Sequence, residues 1–224
     1  MSSESTGGFP FETAILERAR ASGAWLGPRE VAALAAHARA VYAANPGLHL
    51  TAVSDPSEFV ARHIGESLEG AALLPPLIVG LLLDLGSGNG YPGIPVAVAR
   101  PGLIPVLAES SARKAGFLRQ ALAAAGLGHG QVLHRRVVRA ADLENLAPIS
   151  VLVSRAAGGW DRIVPKLTPR LEAGAQVLLW AGPDAESILR RPAWRRLRLA
   201  SIHPLSGRDR SYVHLLVNDN NYNK

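Results

Sequence analysis

The residues best suited to chemistry lie in one stretch, Asp84-Leu85-Gly86-Ser87-Gly88-Asn89-Gly90-Tyr91-Pro92-Gly93. Glycines accept positive φ and let a backbone approach a ligand closely. Gly88, Gly90 and Gly93 satisfy G-x-G-x-x-G. Glu109 follows Gly88 by 21 residues, the spacing at which a ribose-holding carboxylate belongs. The chemistry implied is the seating of an adenosine cofactor at the end of a strand. A nicotinamide dinucleotide and S-adenosylmethionine both fit, and a tight turn with no ligand is the plain structural reading.

The surrounding elements must place that loop. Leu77–Leu85 is a continuous apolar run leading into the glycines, which reads as a strand buried on both faces. Strands are also predicted over 103–108, 131–133, 149–153 and 175–180, with helices over 112–125, 160–171 and 184–190. Such alternation specifies a doubly wound α/β sheet, with ligands at the carboxyl ends of its strands. The segments 197–202 and 212–217 lack a long helix between them, so they are predicted to close the sheet as an antiparallel hairpin turning at Gly207-Arg208-Asp209-Arg210. Upstream, residues 9–75 read as helices. One follows Phe11 and Ile15. A second opens at Pro28 and stops at Asn45-Pro46-Gly47. A third has Asp55 as its cap and Glu58 as capping-box partner. The expected organisation is a tail over 1–8, a helical extension over 9–75, a catalytic unit over 76–217 and a polar tail over 218–224.

Composition narrows the partners. Of 224 residues, 24 are basic and 18 acidic, a net charge of +6, and 21 of the basic residues are arginine. Arginine's planar fork suits phosphate, so a polyanionic partner is one reading and a GC-rich coding bias the other. There is no cysteine. That excludes disulfides, cysteine-ligated metal and a cysteine nucleophile, and it fits a cytoplasmic protein. The seven histidines show no ligand-pair spacing, so no metal is expected. No apolar run is long enough to span a membrane, and the Ser/Gly-rich start does not read as a signal peptide.

Asp84 before the first glycine converts the motif to D-x-G-x-G-x-G, which resembles the first motif of class I S-adenosylmethionine methyltransferases. An acidic residue there suits the cofactor's amino-acid moiety and repels a pyrophosphate, and Pro92 removes a donor where a phosphate-binding helix would begin. Without cysteine, a C5 adduct mechanism is excluded. The exocyclic-amine motif Asn/Asp-Pro-Pro-Tyr/Phe is missing after the fourth strand, where Ser154-Arg155-Ala156-Ala157 stands.

More specific segments narrow the family: His49-Leu50-Thr51, Arg62-His63-Ile64 with Ser67, the Pro-Gly-Ile-Pro extension ending at Pro95, Arg100-Pro101, Arg113-Lys114 with Phe117-Leu118-Arg119-Gln120, and Val153-Ser154-Arg155-Ala156. On these residues, over about positions 10–217, the chain resembles the bacterial 16S rRNA guanine-N7 methyltransferases (RsmG, or GidB). The resemblance implies a class I methyltransferase fold, S-adenosylmethionine as cofactor and 16S rRNA or the small ribosomal subunit as partner. A monomer is expected. It also implies cofactor contacts at Asp84, Gly86, Ser87, Gly88, Gly90, Tyr91, Glu109, Val137, Val138 and Arg155, active-site arginines at Arg155 and Arg136, and RNA contacts at Arg113, Lys114 and Arg119. The family usually carries acidic residues at about positions 138 and 139, where this chain has Val138 and Arg139. A catalytically diverged RNA-binding module remains an alternative. Guanine N7 has a free lone pair and no proton, so attack on a sulfonium methyl needs no general base. Catalysis can rest on positioning. The run Arg190–Arg198 is the densest basic cluster, with Trp194 as a candidate stacking residue or the run as a plain connector.

Overall fold

The structure is a computed structural model and describes residues 8–155, 158–205 and 210–218. The expected tails over 1–8 and 218–224, apart from Gly8 and Asn218, and the expected turn residues Gly207–Asp209 lie outside the described residues.

Four helices precede the sheet: α1 (Phe11–Ala21), α2 (Pro28–Leu48), α3 (Pro56–Phe59) and α4 (Glu66–Ala72), the last two joined by a π-helical turn over Val60–Gly65. The catalytic unit then runs β1 (Gly80–Leu85), α5 (Gly93–Ala99), β2 (Leu103–Glu109), α6 (Ala112–Ala124), β3 (Gln131–His134), β4 (Ile149–Arg155), α7 (Trp160–Leu167), β5 (Leu171–Ala181), α8 (Ala185–Leu189), β6 (Leu197–Pro204) and β7 (Ser211–Val217). The sheet order is β3-β2-β1-β4-β5-β7-β6. β1 to β5 are parallel, and β7 pairs antiparallel with both β5 and β6.

Side chains alternate across the sheet with period two, as the pleat requires. Leu82, Leu107, Val151, Val153 and Leu178 face a core shared with Ile15, Leu34, Phe59, Ile64 and Leu68 of the N-terminal helices and with Ile94 and Leu118. Leu83, Val106, Leu152, Val177 and Leu179 face the second core, with Val164, Leu167, Ile188 and Trp194. The N-terminal helices therefore share one layer of the fold with α5 and α6.

Several element boundaries differ from the sequence reading. The first strand starts at Gly80, not Leu77. Leu77 is 91% exposed, and Gly80 enters the strand at φ 115° against Ser150, whose side chain a Cβ would overlap. Helix α2 continues through Pro46 to Leu48, because His49 adopts the left-handed conformation (φ 50°) and its N–H bonds the Asn45 carbonyl. Helix α7 ends at Leu167, where the chain tightens into a single 3-10 turn over Thr168–Arg170 before β5. β5 begins at Leu171 and absorbs a register shift opposite Ile149–Val151, with Gly174 at φ 74°. Asp55 caps α3 as expected through Glu58 N–H, but the Glu58 carboxylate pairs with Arg62 at 2.7 Å. Trp194 is 2% exposed, so it packs under the basic run and offers no stacking face.

Candidate active site

The strand order reverses between β1 and β4, which is the switch point where doubly wound sheets bind ligands. The register places Asp84 opposite Leu107 and Val153, so the carboxyl ends of β1, β2 and β4 carry Asp84, Glu109 and Arg155 to one edge. The glycine loop leaves from that edge with Gly86, Gly88 and Gly90 at φ of 75°, 57° and 89°.

Protein carboxylates tie down both ends of the loop. Glu109 accepts from Gly88 N–H at 3.0 Å and from Ser111 N–H at 2.8 Å. Asp84 is fully buried and accepts from Gly93 N–H at 3.0 Å through Oδ2. Ser87 Oγ donates to the Asp84 carbonyl at 3.0 Å. Burial pushes the Asp84 carboxyl up to about 7 against the pull of Ser87, Gly93 and Arg155. Gly93 opens α5, and its amide is taken by Asp84. A Cβ at Gly93 would sit 2.6 Å from that carboxylate. This helix start is thus filled by the protein's own anion and not left for a phosphate.

The other glycines differ in purpose. A Cβ at Gly90 would strike Ile94 at 2.7 Å and His37 at 2.9 Å, so that glycine serves packing. A Cβ at Gly88 would meet only the Gly86 carbonyl at 3.9 Å, so that glycine faces open space. The loop fits an adenosine cofactor on three counts: the open face at Gly88, the Glu109 carboxylate beside it, and a second Asp84 oxygen, Oδ1, buried with no partner among the described residues. Asp84 Oδ1 is an acceptor suited to a cationic ligand group.

Arg155 ends β4 and is drawn into the N-terminal layer, with only 11% of its side chain exposed. Nη1 donates to the Arg62 carbonyl at 2.8 Å, and Nη2 donates to His63 Nδ1 at 2.6 Å. Glu66 lies 3.8 Å away. Arg62 and His63 sit in the π-helical turn, which departs from the α-helical bonding ladder. Because arginine only donates, His63 Nδ1 accepts, and Nε2 carries the proton toward Thr51 Oγ1 at 3.0 Å. The guanidinium carbon stands 5.8 Å from the Tyr91 ring centroid. Burial pushes the Arg155 pKa down, while Glu66 and Asp84 pull it up. Arg155 is therefore no exposed surface ion pair.

Tyr91 is 2% exposed, its ring stacked between His37 at 4.4 Å and His63 at 5.1 Å. His37 Nε2–H donates to the Asn89 carbonyl at 2.9 Å, and Asn89 Nδ2 donates to the Leu50 carbonyl at 3.1 Å. Helix α2 and the segment after it thus clamp the loop. In the sequence His37 shows no ligand spacing and belongs to no motif. Its tie to the loop has no local signal, because the two are 52 residues apart.

The remaining predicted residues lie outside this cluster. Val137 is buried in the second core, and Val138 is exposed. The Val138 and Arg139 amides both donate to Asp142 Oδ2, at 2.8 and 3.0 Å. Asp142 thus places a carboxylate against the backbone of 138 and 139. A turn-start residue with Asp three positions on was the signal that could have found it. Arg136 is exposed after β3, and no hydrogen bond or ion pair ties it to the glycine loop among the described residues. Arg113 donates to the Gly47 carbonyl, joining α6 to the end of α2. Arg119 reaches back to the Ala115 carbonyl of its own helix at 3.4 Å. The Lys114 amide is capped by Ser111.

Residues 30–193 match the family described as GidB, rRNA small subunit methyltransferase G. The chain is 38% identical over 163 residues to "Ribosomal RNA small subunit methyltransferase G" of Xanthomonas campestris pv. campestris (strain B100), covering 72% of this chain and 73% of that protein. It is 33% identical over 179 residues to the protein of that name from Sorangium cellulosum, covering 80% and 75%. Among solved structures, the fold is shared with the ribosomal protein L11 methylase of Lactobacillus delbrueckii subsp. bulgaricus (TM-score 0.55, 15% identity, 69% of this chain and 78% of that one). It is also shared with an rRNA methylase from Streptococcus thermophilus (TM-score 0.52, 17% identity, 67% and 92%). The family match, with the Asp84–Gly93 bond, overturns the nicotinamide oxidoreductase reading. The fold is that of class I methyltransferases, and the chain belongs to the rRNA small subunit methyltransferase G (GidB) family.

Proposed function

We propose that this protein transfers the methyl group of S-adenosylmethionine to N7 of a guanine in 16S rRNA. The observation that carries the reading is the glycine loop at the β1–β4 switch point, open at Gly88 and closed to phosphate at Gly93. When bound, S-adenosylmethionine supplies an electrophilic methyl group. The chain's own residues hold and orient. Gly86, Ser87, Gly88 and Gly90 shape the cradle, Glu109 faces the ribose, and Val137 and Val138 stand on the adenine side. Tyr91 acts from behind the loop, because its ring is packed between two histidines. Asp84 faces the amino-acid end, and Arg155 fixes the edge of β4 against the π-helical turn.

No general base is required at N7, so positioning by the chain's own residues can carry the reaction. The product guanine is cationic and a nearby guanidinium would not stabilise it. Arg155 is therefore a positioning group, and Arg136 is a basic contact at the rim. Arg113, Lys114 and Arg119 are basic contacts along α6 for RNA phosphates. The helical extension 9–75 acts as a brace for the unit 76–217. A monomer working in the cytoplasm completes the reading. Among the described residues no helix is long and apolar enough to cross a membrane.

The test is incubation with labelled S-adenosylmethionine and 30S subunits, followed by mapping of the modified base. Label at a guanine N7 of 16S rRNA is the expected result. RNA binding without incorporation would select the catalytically diverged module instead.

A further inference from the structure

Beyond the cofactor loop, at the carboxyl ends of β4 and β5, lies a cleft of about 400 Å³. Its lining includes Trp160, Asp161, Trp180, Asp184, Arg191 and Arg210, and none of Asp84–Gly93. The volume falls in the range of small-molecule sites. Trp180 is the register partner of Arg155 across β4 and β5, so the cleft adjoins the cofactor side. Arg210 is close enough for its charge to act on Arg155.

The lining has a particular chemistry. Trp160 is half-buried, and its ring is braced edge-on by the buried Trp194 at 5.6 Å. A braced indole makes a stacking platform with little freedom left to lose. The Trp180 indole N–H is a buried donor with no acceptor among the described residues. Both charge signs are present: Asp161 and Asp184 supply carboxylates, Arg191 and Arg210 supply guanidiniums, and Arg191 stands 3.4 Å from Asp161. Two carboxylates disfavour a simple anion, and two arginines disfavour a simple cation. A guanosine nucleotide matches both, since its base carries N–H donors on one edge and acceptors on another, and its phosphate is anionic.

We propose that this cleft seats the target guanosine, extruded from the RNA, with its ring on Trp160, its donor edge toward the carboxylates and its phosphate on Arg210 and Arg191. Enzymes that modify a base read it in this way, by stacking and by hydrogen bonds to its polar edges. The proposal rests on the methyltransferase reading and adds to it the residues that select the base.

The experiment is steady-state methylation of 30S subunits with labelled S-adenosylmethionine by wild type, Trp160→Leu, Trp160→Phe and Arg210→Gln. Loss of the stack should raise KM for 30S about five- to 150-fold in Trp160→Leu, and Trp160→Phe should restore most of it. Arg210→Gln should raise KM and reduce the salt dependence of RNA affinity. The S-adenosylmethionine-induced rise in melting temperature should persist in all three variants. Unchanged KM in both Trp160→Leu and Arg210→Gln would overturn the proposal, as would equal defects in Trp160→Phe and Trp160→Leu. If Trp160→Leu loses the thermal shift and so has not folded, the exposed Arg210 decides alone. Absence of incorporation by wild type would instead overturn the methyltransferase reading beneath it.

Discussion

Protonation of His37 should release the brace on the cofactor loop, and its cost can be worked from the structure. His37 is fully buried, donates to the Asn89 carbonyl through Nε2 and stacks on Tyr91. Burial pushes its pKa down from 6.5 to about 4. A folded-state pKa below the unfolded one means that the unfolded chain takes up the proton first. The associated stability is present above pH 6.5 and is lost as the pH falls toward 4. At about 1.4 kcal/mol per pKa unit, the full window is worth about 3 kcal/mol. Integrating between pH 7 and pH 5 gives about 2 kcal/mol. Asp84 has the opposite slope, so the wild-type profile alone does not isolate His37. The measurement is urea unfolding of wild type and His37→Gln from pH 5 to pH 8. Glutamine keeps a donor for Asn89 and removes the titration. The stability gap between the two proteins should narrow by about 2 kcal/mol as the pH falls from 7 to 5. S-adenosylmethionine affinity of the wild type should weaken through this group only as the pH approaches 4, where His37 takes up its proton in the folded state. Parallel stability profiles would refute this account of the brace.

Other consequences can be measured separately. Asp84, raised to about 7 by burial, favours the folded state below its unfolded pKa of 3.8, and that contribution is lost as the pH rises through 7; Asp84→Asn should therefore gain stability relative to wild type between pH 5 and pH 8 in urea melts, and a constant difference would count against it. S-adenosylmethionine should raise the wild-type melting temperature, NADH should not, and Gly88→Val should abolish the shift, because its side chain would enter the open face at Gly88; a Gly88→Val protein that keeps the full shift would move the cofactor elsewhere. Arg155→Ala should lower kcat on saturating 30S by removing the tie to Arg62 and His63. The pair Arg113→Ala with Lys114→Ala should instead raise KM for RNA and flatten its salt slope by up to about one per lost phosphate contact. Full kcat in the first, or an unchanged salt slope in the second, would reverse those roles.

Much of the fold could be read from local pattern. The apolar run ending at Leu85, the spacing of Gly86, Gly88, Gly90 and Gly93, and Glu109 at the next strand end specify a strand–loop–helix–strand unit, because pleat period and positive φ are local properties of residue type. The late hairpin was equally legible, since no crossover helix separates its strands. Contacts distant in sequence were not. Nothing near Arg155 announces that it bonds residues 62 and 63, and nothing near His37 points to Asn89. The π-helical turn at Val60–Gly65 leaves no compositional mark, because it arises from the bonding and packing of the folded chain. Asp142 meets the amides of Val138 and Arg139 only because a turn brings it back to them. Residue types and short-range spacing determined that a cofactor cradle exists and where in the chain it lies. The burial of Asp84, the brace by His37 and the anchoring of Arg155 were decided by tertiary packing, because each depends on which helix covers the sheet edge.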